Sequence, residues 1–206
     1  EQKLLKAGLA LSREKCCAAV SIREVCRRAG VNLGLFHYHF KSRELFRRRL
    51  LEAGYLEFFS RLSVSTEGLG RPPAKLRRAL GTIARFAREH RRMTVGLIKD
   101  ALNGDRQVAR FAAESFPRHL PLILEIYKEG LRAGDFRRLP EPLLLAFLMG
   151  TINAPGLMLT LLEEHGASRP FGRALSAVET DLLSDAALET RLDLVMAALA
   201  RSRTAR

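Results

Sequence analysis

Residues 21–43 read SIREVCRRAGVNLGLFHYHFKSR, two short helical patterns separated by a glycine. Ser21 with Glu24 three residues on makes a capping box. The serine oxygen accepts from an early helical N–H, the glutamate returns to the serine's own N–H, and a helix is predicted from Ile22. Ile22, Val25, Cys26 and Ala29 recur at three- and four-residue spacing and form its buried stripe, with Arg23, Arg27 and Arg28 facing out. Gly30 ends it, because glycine reaches the left-handed conformation of a C-terminal cap without steric penalty. Asn32 then caps a second helix, Leu33 to Phe40, and the short glycine-containing joint is that of a helix-turn-helix.

The second helix is unusual for what it exposes. Val31, Leu35 or Phe36, and Phe40 suffice to hold it on a core, so His37, Tyr38 and His39 are not all buried. Gly34 near its start lets the helix end come close to another surface, and Lys41, Ser42 and Arg43 follow as phosphate partners. Aromatic and imidazole groups beside cations suit a groove lined by phosphates and base edges. Spacing alone fits a solvated basic helix pair as well.

The run AGVNLGLFHYHFKSRELF, residues 29–46, resembles the end of the DNA-binding domain of TetR-like transcriptional repressors, and KLLKAGLALSREKCCAAVSIREVCRRAG before it is similar to that family's first two helices. The resemblance covers about the first quarter of the chain. It implies an all-α protein: an N-terminal three-helix DNA-binding domain with a helix-turn-helix, residues 1–45, then a larger C-terminal helical ligand-binding and dimerisation domain, residues 46–206. By the same resemblance Ser21 and Arg23 contact DNA from the first helix of the pair. Leu33, Gly34, Leu35, His37, Tyr38 and His39 contact it from the recognition helix, and Lys41 and Arg43 clamp the backbone. Three positions depart from the family pattern. Cys16 stands where a glycine usually ends the first helix, Leu33 where a polar, basic or proline residue is common, and Arg43 where lysine is usual.

Charge distribution points the same way. The 206 residues carry a formal +13, and the first 50 hold 12 Lys/Arg against 4 Asp/Glu, leaving 23 against 18 for the rest. Positive charge is therefore concentrated where the helix pair lies, as a polyanion-binding module requires, although an anionic membrane surface or RNA would also accept it. Three cysteines without a Cys-x-x-Cys or flanking histidines support neither a disulfide framework nor a zinc site, and a reducing, cytoplasmic setting fits. Cys26 reads as a small buried apolar residue, and Cys16 and Cys17 as turn-filling packing rather than a redox pair. The chain begins inside a helical pattern with no charged-then-apolar leader, which leaves room for a short upstream segment.

The rest of the chain reads as helices. Lys3 to Lys15 covers the back of the pair. Ser42 to about Ser63 runs unbroken, and its Arg47-Arg48-Arg49 run could reach DNA but reads first as a solvated face. Ser65 to Pro73 is a linker. Helices follow over Pro73 to Glu89, Met93 to Leu102 and Gln107 to Ala133, the last expected to bend or break at Pro117 and Pro121. Leu143 to Leu162 is twenty residues without a charge, long enough to span a membrane. Asn153, Pro155, two glycines and two threonines interrupt it, so it reads as a helix buried in an oligomer, with no membrane partner. His165 to Asp181 reads as a loop, and Leu182 to Leu199 as a closing helix whose Leu188, Leu192, Val195 and Leu199 form a seam without a partner inside the chain. Pairing the helices around 143–162 and 182–200 across a two-fold axis gives a homodimer.

These readings combine into a ligand-responsive DNA-binding regulator, expected to be a repressor that leaves a palindromic double-stranded operator when a small-molecule effector binds. The effector's identity is not legible. Met93, Leu97, Phe111, Phe116, Tyr127, Phe147 and Thr151 are the candidate pocket lining, although each also suits plain core. No motif calls for a cofactor or metal, and the absence of a nucleophile elbow or phosphate loop, with His90, His119 and His165 scattered, argues against an enzyme. The alternative is a DNA-compacting architectural protein without an effector, which would show no operator preference over bulk DNA.

Overall fold

The computed structural model describes residues 1–14, 20–67 and 70–201, leaving aside the side chains of residues 116 and 117. Cys16 and Cys17 lie outside the described residues, as does the side chain of Phe116. The elements are α1 (Gln2–Glu14), α2 (Ile22–Ala29), α3 (Leu33–His39), α4 (Arg43–Thr66), α5 (Pro72–Glu89), α6 (Arg91–Leu102), α7 (Arg106–Arg132), α8 (Glu141–Glu164), α9 (Leu175–Leu183) and α10 (Asp185–Leu199). Among the described residues there is no β-strand, and one isolated antiparallel bridge joins Phe136 to Ala200. The fold is all-α, as the helical periodicity requires.

Contacts divide the chain into two compact units, residues 1–60 with 89–116, and residues 61–88 with 117–206. In the first, Leu4 and Leu11 of α1, Val25 and Cys26 of α2, Phe36 of α3, Phe46 and Leu50 of α4, and Met93 of α6 share one core. The approach of α1 to α4 depends on Gly8, where a Cβ would fall 2.8 Å from both the Leu50 methyl and the Phe46 ring. Arg47 is not part of a solvated face. Its two terminal nitrogens donate to Asp100 at 2.5 Å and Asp105 at 2.7 Å, while Arg48 and Arg49 turn to Glu52 and remain exposed.

In the second unit α8 packs on α9 and α10, with Leu144, Leu148, Ile152 and Leu159 buried. Tyr127 is buried, its hydroxyl donating to the Arg137 carbonyl at 2.7 Å and accepting from the Leu139 N–H at 2.8 Å, so it pins the chain that leaves α7. Among the described residues α8 is the one helix long and apolar enough to cross a membrane.

Four expectations are corrected. The stretch His165 to Asp181 is not all loop, because α9 begins at Leu175 and buries Val178 and Leu183. That helix ends at Ser184, whose extended backbone breaks the expected Leu182–Leu199 helix and whose Oγ accepts from the Ala187 N–H at 3.2 Å to start α10. Of the bend or break expected in α7, the break is excluded, because the helix runs continuously through Pro117 and Pro121. Most consequentially, the seam of Leu188, Leu192, Val195 and Leu199 does have a partner within the chain. All four are buried there, Leu192 to 5 % exposure. A heptad-like stripe reports that a helix face is covered, and it does not say by which chain.

Candidate nucleic-acid interface

The helix-turn-helix is held by local chemistry that the sequence spells out. At the start of α2 the Glu24 N–H donates to Ser21 Oγ at 3.3 Å, and the Ser21 N–H donates to Glu24 Oε2 at 3.2 Å, closing the capping box. Gly30 ends α2 at φ 64°, ψ 37°, and the next N–H, of Val31, donates to the Cys26 carbonyl at 3.1 Å. Asn32 Oδ1 accepts from the Leu35 N–H at 2.8 Å and starts α3. Ser42 Oγ accepts from the Leu45 N–H at 3.1 Å and starts α4, so Ser42 serves first as a helix cap.

What aims α3 is an aromatic cluster. Phe36, Phe40 and Phe46 have ring centroids 5.0 to 5.3 Å apart, and Phe36 has no exposed surface. Each such pair contributes about 0.5–1.5 kcal/mol beyond burial, and the two inward rings four residues apart fix the helix's rotation. Of the alternatives Leu35 and Phe36, the inward residue is therefore Phe36, with Leu35 exposed. Leu33, Gly34, Leu35, His37 and Tyr38 lie on the open side, and Tyr38 is 80 % exposed. His39 is half-buried between the Tyr38 and Phe40 rings. Among the described residues a Cβ at Gly34 would meet only Asn32 Oδ1, at 3.4 Å, so none of them demands a glycine there.

Cations frame this surface. Arg23 and Arg27 of α2, and Lys41 and Arg43 at the start of α4, are exposed, whereas Arg28 is held by Glu14 at 2.6 Å. Glu44 stands beside Arg43, its carboxyl below the usual range because the free backbone N–H of the helix start, the Ser42 hydroxyl and Arg43 all favour its charge. Burial pushes the Cys26 thiol up, which suits an inert core residue.

One organising residue had no local signal. Arg47 reaches partners 53 and 58 residues away and ties α4, one turn past the clamp, to the end of α6 and the start of α7. Asp105 is also the cap of α7, with Gln107 and Val108 N–H groups on its Oδ1 at 2.9 and 3.1 Å. The Val108 N–H, with Arg47 adding to it, holds the Asp105 carboxyl below its ordinary value.

The candidate effector residues do not form one group. Met93, Leu97 and Phe111 belong to the core of the first unit, where Phe111 also meets the Tyr55 ring edge-on at 6.2 Å. In the second unit Tyr127 stacks on Phe136, Phe147 is exposed, and Thr151 donates to the Phe147 carbonyl at 2.8 Å. Thr151 lines a cleft, shared with Leu80, Ala84, Leu148, Ile152 and Leu192 among others. That cleft is closed to about 10 Å³, the limit for a single water.

Residues 4–49 match the family described as bacterial regulatory proteins, tetR family. No curated protein matches the chain. Among solved structures, the chain is similar to the ketosteroid transcriptional regulator KstR2 of Mycobacterium tuberculosis, with 17 % identity, 98 % of this chain and 96 % of that chain covered, and a TM-score of 0.67. It is similar to the transcriptional regulator FadR from Bacillus subtilis in complex with stearoyl-CoA, at 15 % identity over 96 % and 98 % of the two chains, with a TM-score of 0.70. A tetR family transcription regulator from Shewanella sp. PV-4 matches at 17 % identity over 98 % of each chain, with a TM-score of 0.60.

Proposed function

We propose that this chain, a TetR-family transcriptional regulator, is a homodimeric repressor that leaves a palindromic operator when a small molecule binds its C-terminal helical part. The observation that carries the reading is the division of α3. Phe36 and Phe40 hold it from inside, while Gly34, His37 and Tyr38 face outward between exposed Arg23, Lys41 and Arg43. A surface that presents aromatic and imidazole edges flanked by cations serves base edges and phosphates together. On this reading residues 1–45 are the reader and residues 46–206 the regulatory and dimerising part, working in the cytoplasm where the DNA is.

Two copies are needed because reading a palindrome takes two α3 helices roughly 34–36 Å apart. With the α10 seam covered inside the chain, the surface proposed for the partner is the apolar one left open: Leu143, Phe147, Met158 and Leu161 of α8 and Leu194 of α10. A small molecule acts by preferring a conformation with another spacing, and weakens DNA binding by its differential affinity for the two states. Thr151, on the cleft between α5, α8 and α10, is the candidate residue proposed to meet such a ligand; Met93, Leu97 and Phe111 would take part only if the core of the first unit opened. The stearoyl-CoA held by FadR supports an organic effector for a protein of this fold.

The test is selection of bound fragments from genomic DNA, followed by footprinting and titration of the selected site against random duplex. A palindromic footprint, bound at least a hundredfold more tightly than random DNA, is expected. Equal affinity for both would replace the repressor with an architectural protein.

A further inference from the structure

α5 and α10 run antiparallel, and ion pairs lock the two ends of their seam. Arg77 donates to Glu189 at 2.7 Å and Asp193 at 2.5 Å at one end, and Arg88 to Asp185 at 2.8 Å at the other. Between these locks stand two more arginines. Arg191 lines the cleft among Leu80, Ala84, Leu148, Ile152 and Leu192, and among the described residues its one hydrogen bond goes to the Leu182 carbonyl at the end of α9. Arg85 folds back so that its guanidinium, within 3.3 Å of where a Gly81 Cβ would be, shares that space with the Leu192 methyl. Among the described residues neither has an acidic partner.

A partly buried cation beside apolar side chains and without an acid carries a desolvation cost, and of the two it is Arg191 that bears it, since Arg85 is exposed. Arg191 shows it: burial pulls its guanidinium down from the ordinary arginine value, and the neighbouring Arg88 adds to the effect, whereas the Asp193 and Glu189 bonds push Arg77 up. One carbonyl leaves most of a guanidinium's five donors unused. A planar carboxylate would take two of them in parallel and supply the missing charge.

We propose that the cleft between α5, α8 and α10 binds an amphipathic organic anion, with its carboxylate on Arg191 and Arg85 and its apolar body against Leu80, Leu148 and Ile152. This deepens the effector reading above and rests on it for its regulatory meaning. At about 10 Å³ the cleft cannot admit such a body as it stands, so binding selects a state in which α8 and α10 have moved apart while the ion pairs between α5 and α10 hold. The ligand is then coupled to a shift of α10, the helix that carries exposed Leu194.

Decanoate, decanol and acetate separate head from body. With the full-length protein and no DNA, decanoate below its micellar range should raise the melting temperature in a saturable way, with decanol at least tenfold weaker and acetate without effect. Arg191→Gln should weaken decanoate at least tenfold, and Arg85→Gln several-fold, with Arg77→Gln unchanged; Arg85 is exposed and has no acidic partner among the described residues, so its variant keeps the test sound if Arg191→Gln unfolds. The proposal is overturned if decanoate does not stabilise the protein, if decanol matches it, or if both arginine variants keep wild-type affinity. Operator release is measured separately. Decanoate bound through Arg191 with operator affinity unchanged would sink the effector reading and leave the anion site standing, whereas release by some other compound without decanoate binding would do the reverse.

Discussion

Replacing Tyr38 by Ala removes a ring that contributes almost nothing to the fold and, on this reading, a great deal to recognition. Tyr38 is 80 % exposed, so only about a fifth of its surface is lost from contact. Full burial of a side chain this size is worth roughly 1.5–3 kcal/mol. The expected loss of stability is therefore about 0.5 kcal/mol, a change of a few degrees at most in melting temperature. At the operator the same substitution removes a base-edge contact worth about 1–3 kcal/mol per protomer. For a dimer reading two half-sites the loss doubles to about 2–6 kcal/mol, or one and a half to four orders of magnitude in Kd. Titrating operator and random duplex by fluorescence anisotropy at one salt concentration gives the ratio directly. The ratio should collapse while the random-duplex Kd stays within about threefold. Equal losses on both duplexes would place Tyr38 on phosphate, and no loss on either would remove α3 from the interface.

Arg43→Ala should weaken operator and random DNA alike and reduce the slope of log K against log salt by about one unit per protomer, read from a salt titration. Arg47→Ala leaves Asp100 and Asp105 facing each other without their cation, and should cost about 1–3 kcal/mol in denaturant unfolding; a neutral result would make the pair incidental. Because the Asp105 carboxyl is held below its ordinary value in the folded state, its contribution is full above about pH 4 and is lost as pH falls through the lowered value. Asp105→Asn should therefore flatten the acid limb of the stability profile without moving the neutral-pH plateau's shape. Leu192→Asp buries a charge inside one chain and should unfold it, whereas Leu194→Asp, at a residue 64 % exposed, should leave circular dichroism unchanged and shift sedimentation from dimer to monomer. A folded, dimeric Leu194→Asp would put the partner surface elsewhere.

The reading half of this molecule was legible one residue at a time because its determinants are local. A cap bonds to a backbone three residues away, Gly30 needs only its own left-handed φ, and Phe36 and Phe40 share a face through helical spacing alone. These interactions are closed within a turn or two of chain, so the linear sequence contains both partners. The choice between Leu35 and Phe36 already needed more, since it is settled by Phe46 on another helix.

Elsewhere the deciding partner is distant. Arg47 in a run of three arginines looks like a solvated face until α6 and α7 bring up two carboxylates. Leu188, Leu192, Val195 and Leu199 announce that α10 is covered, but burial has no address in a sequence, and the structure assigns them to the chain's own interior rather than to a second copy. Arg85 and Arg191 are ordinary surface-type residues in the sequence. That among the described residues they lack acids where Arg77 and Arg88 have them is a property of how α5 lies against α10. Periodicity and capping fix which elements form and which faces turn inward, because those depend on bonds and spacings along the chain. Which charges are compensated, and which apolar faces remain for a partner, depends on packing between elements far apart in sequence, and only the tertiary structure decides it.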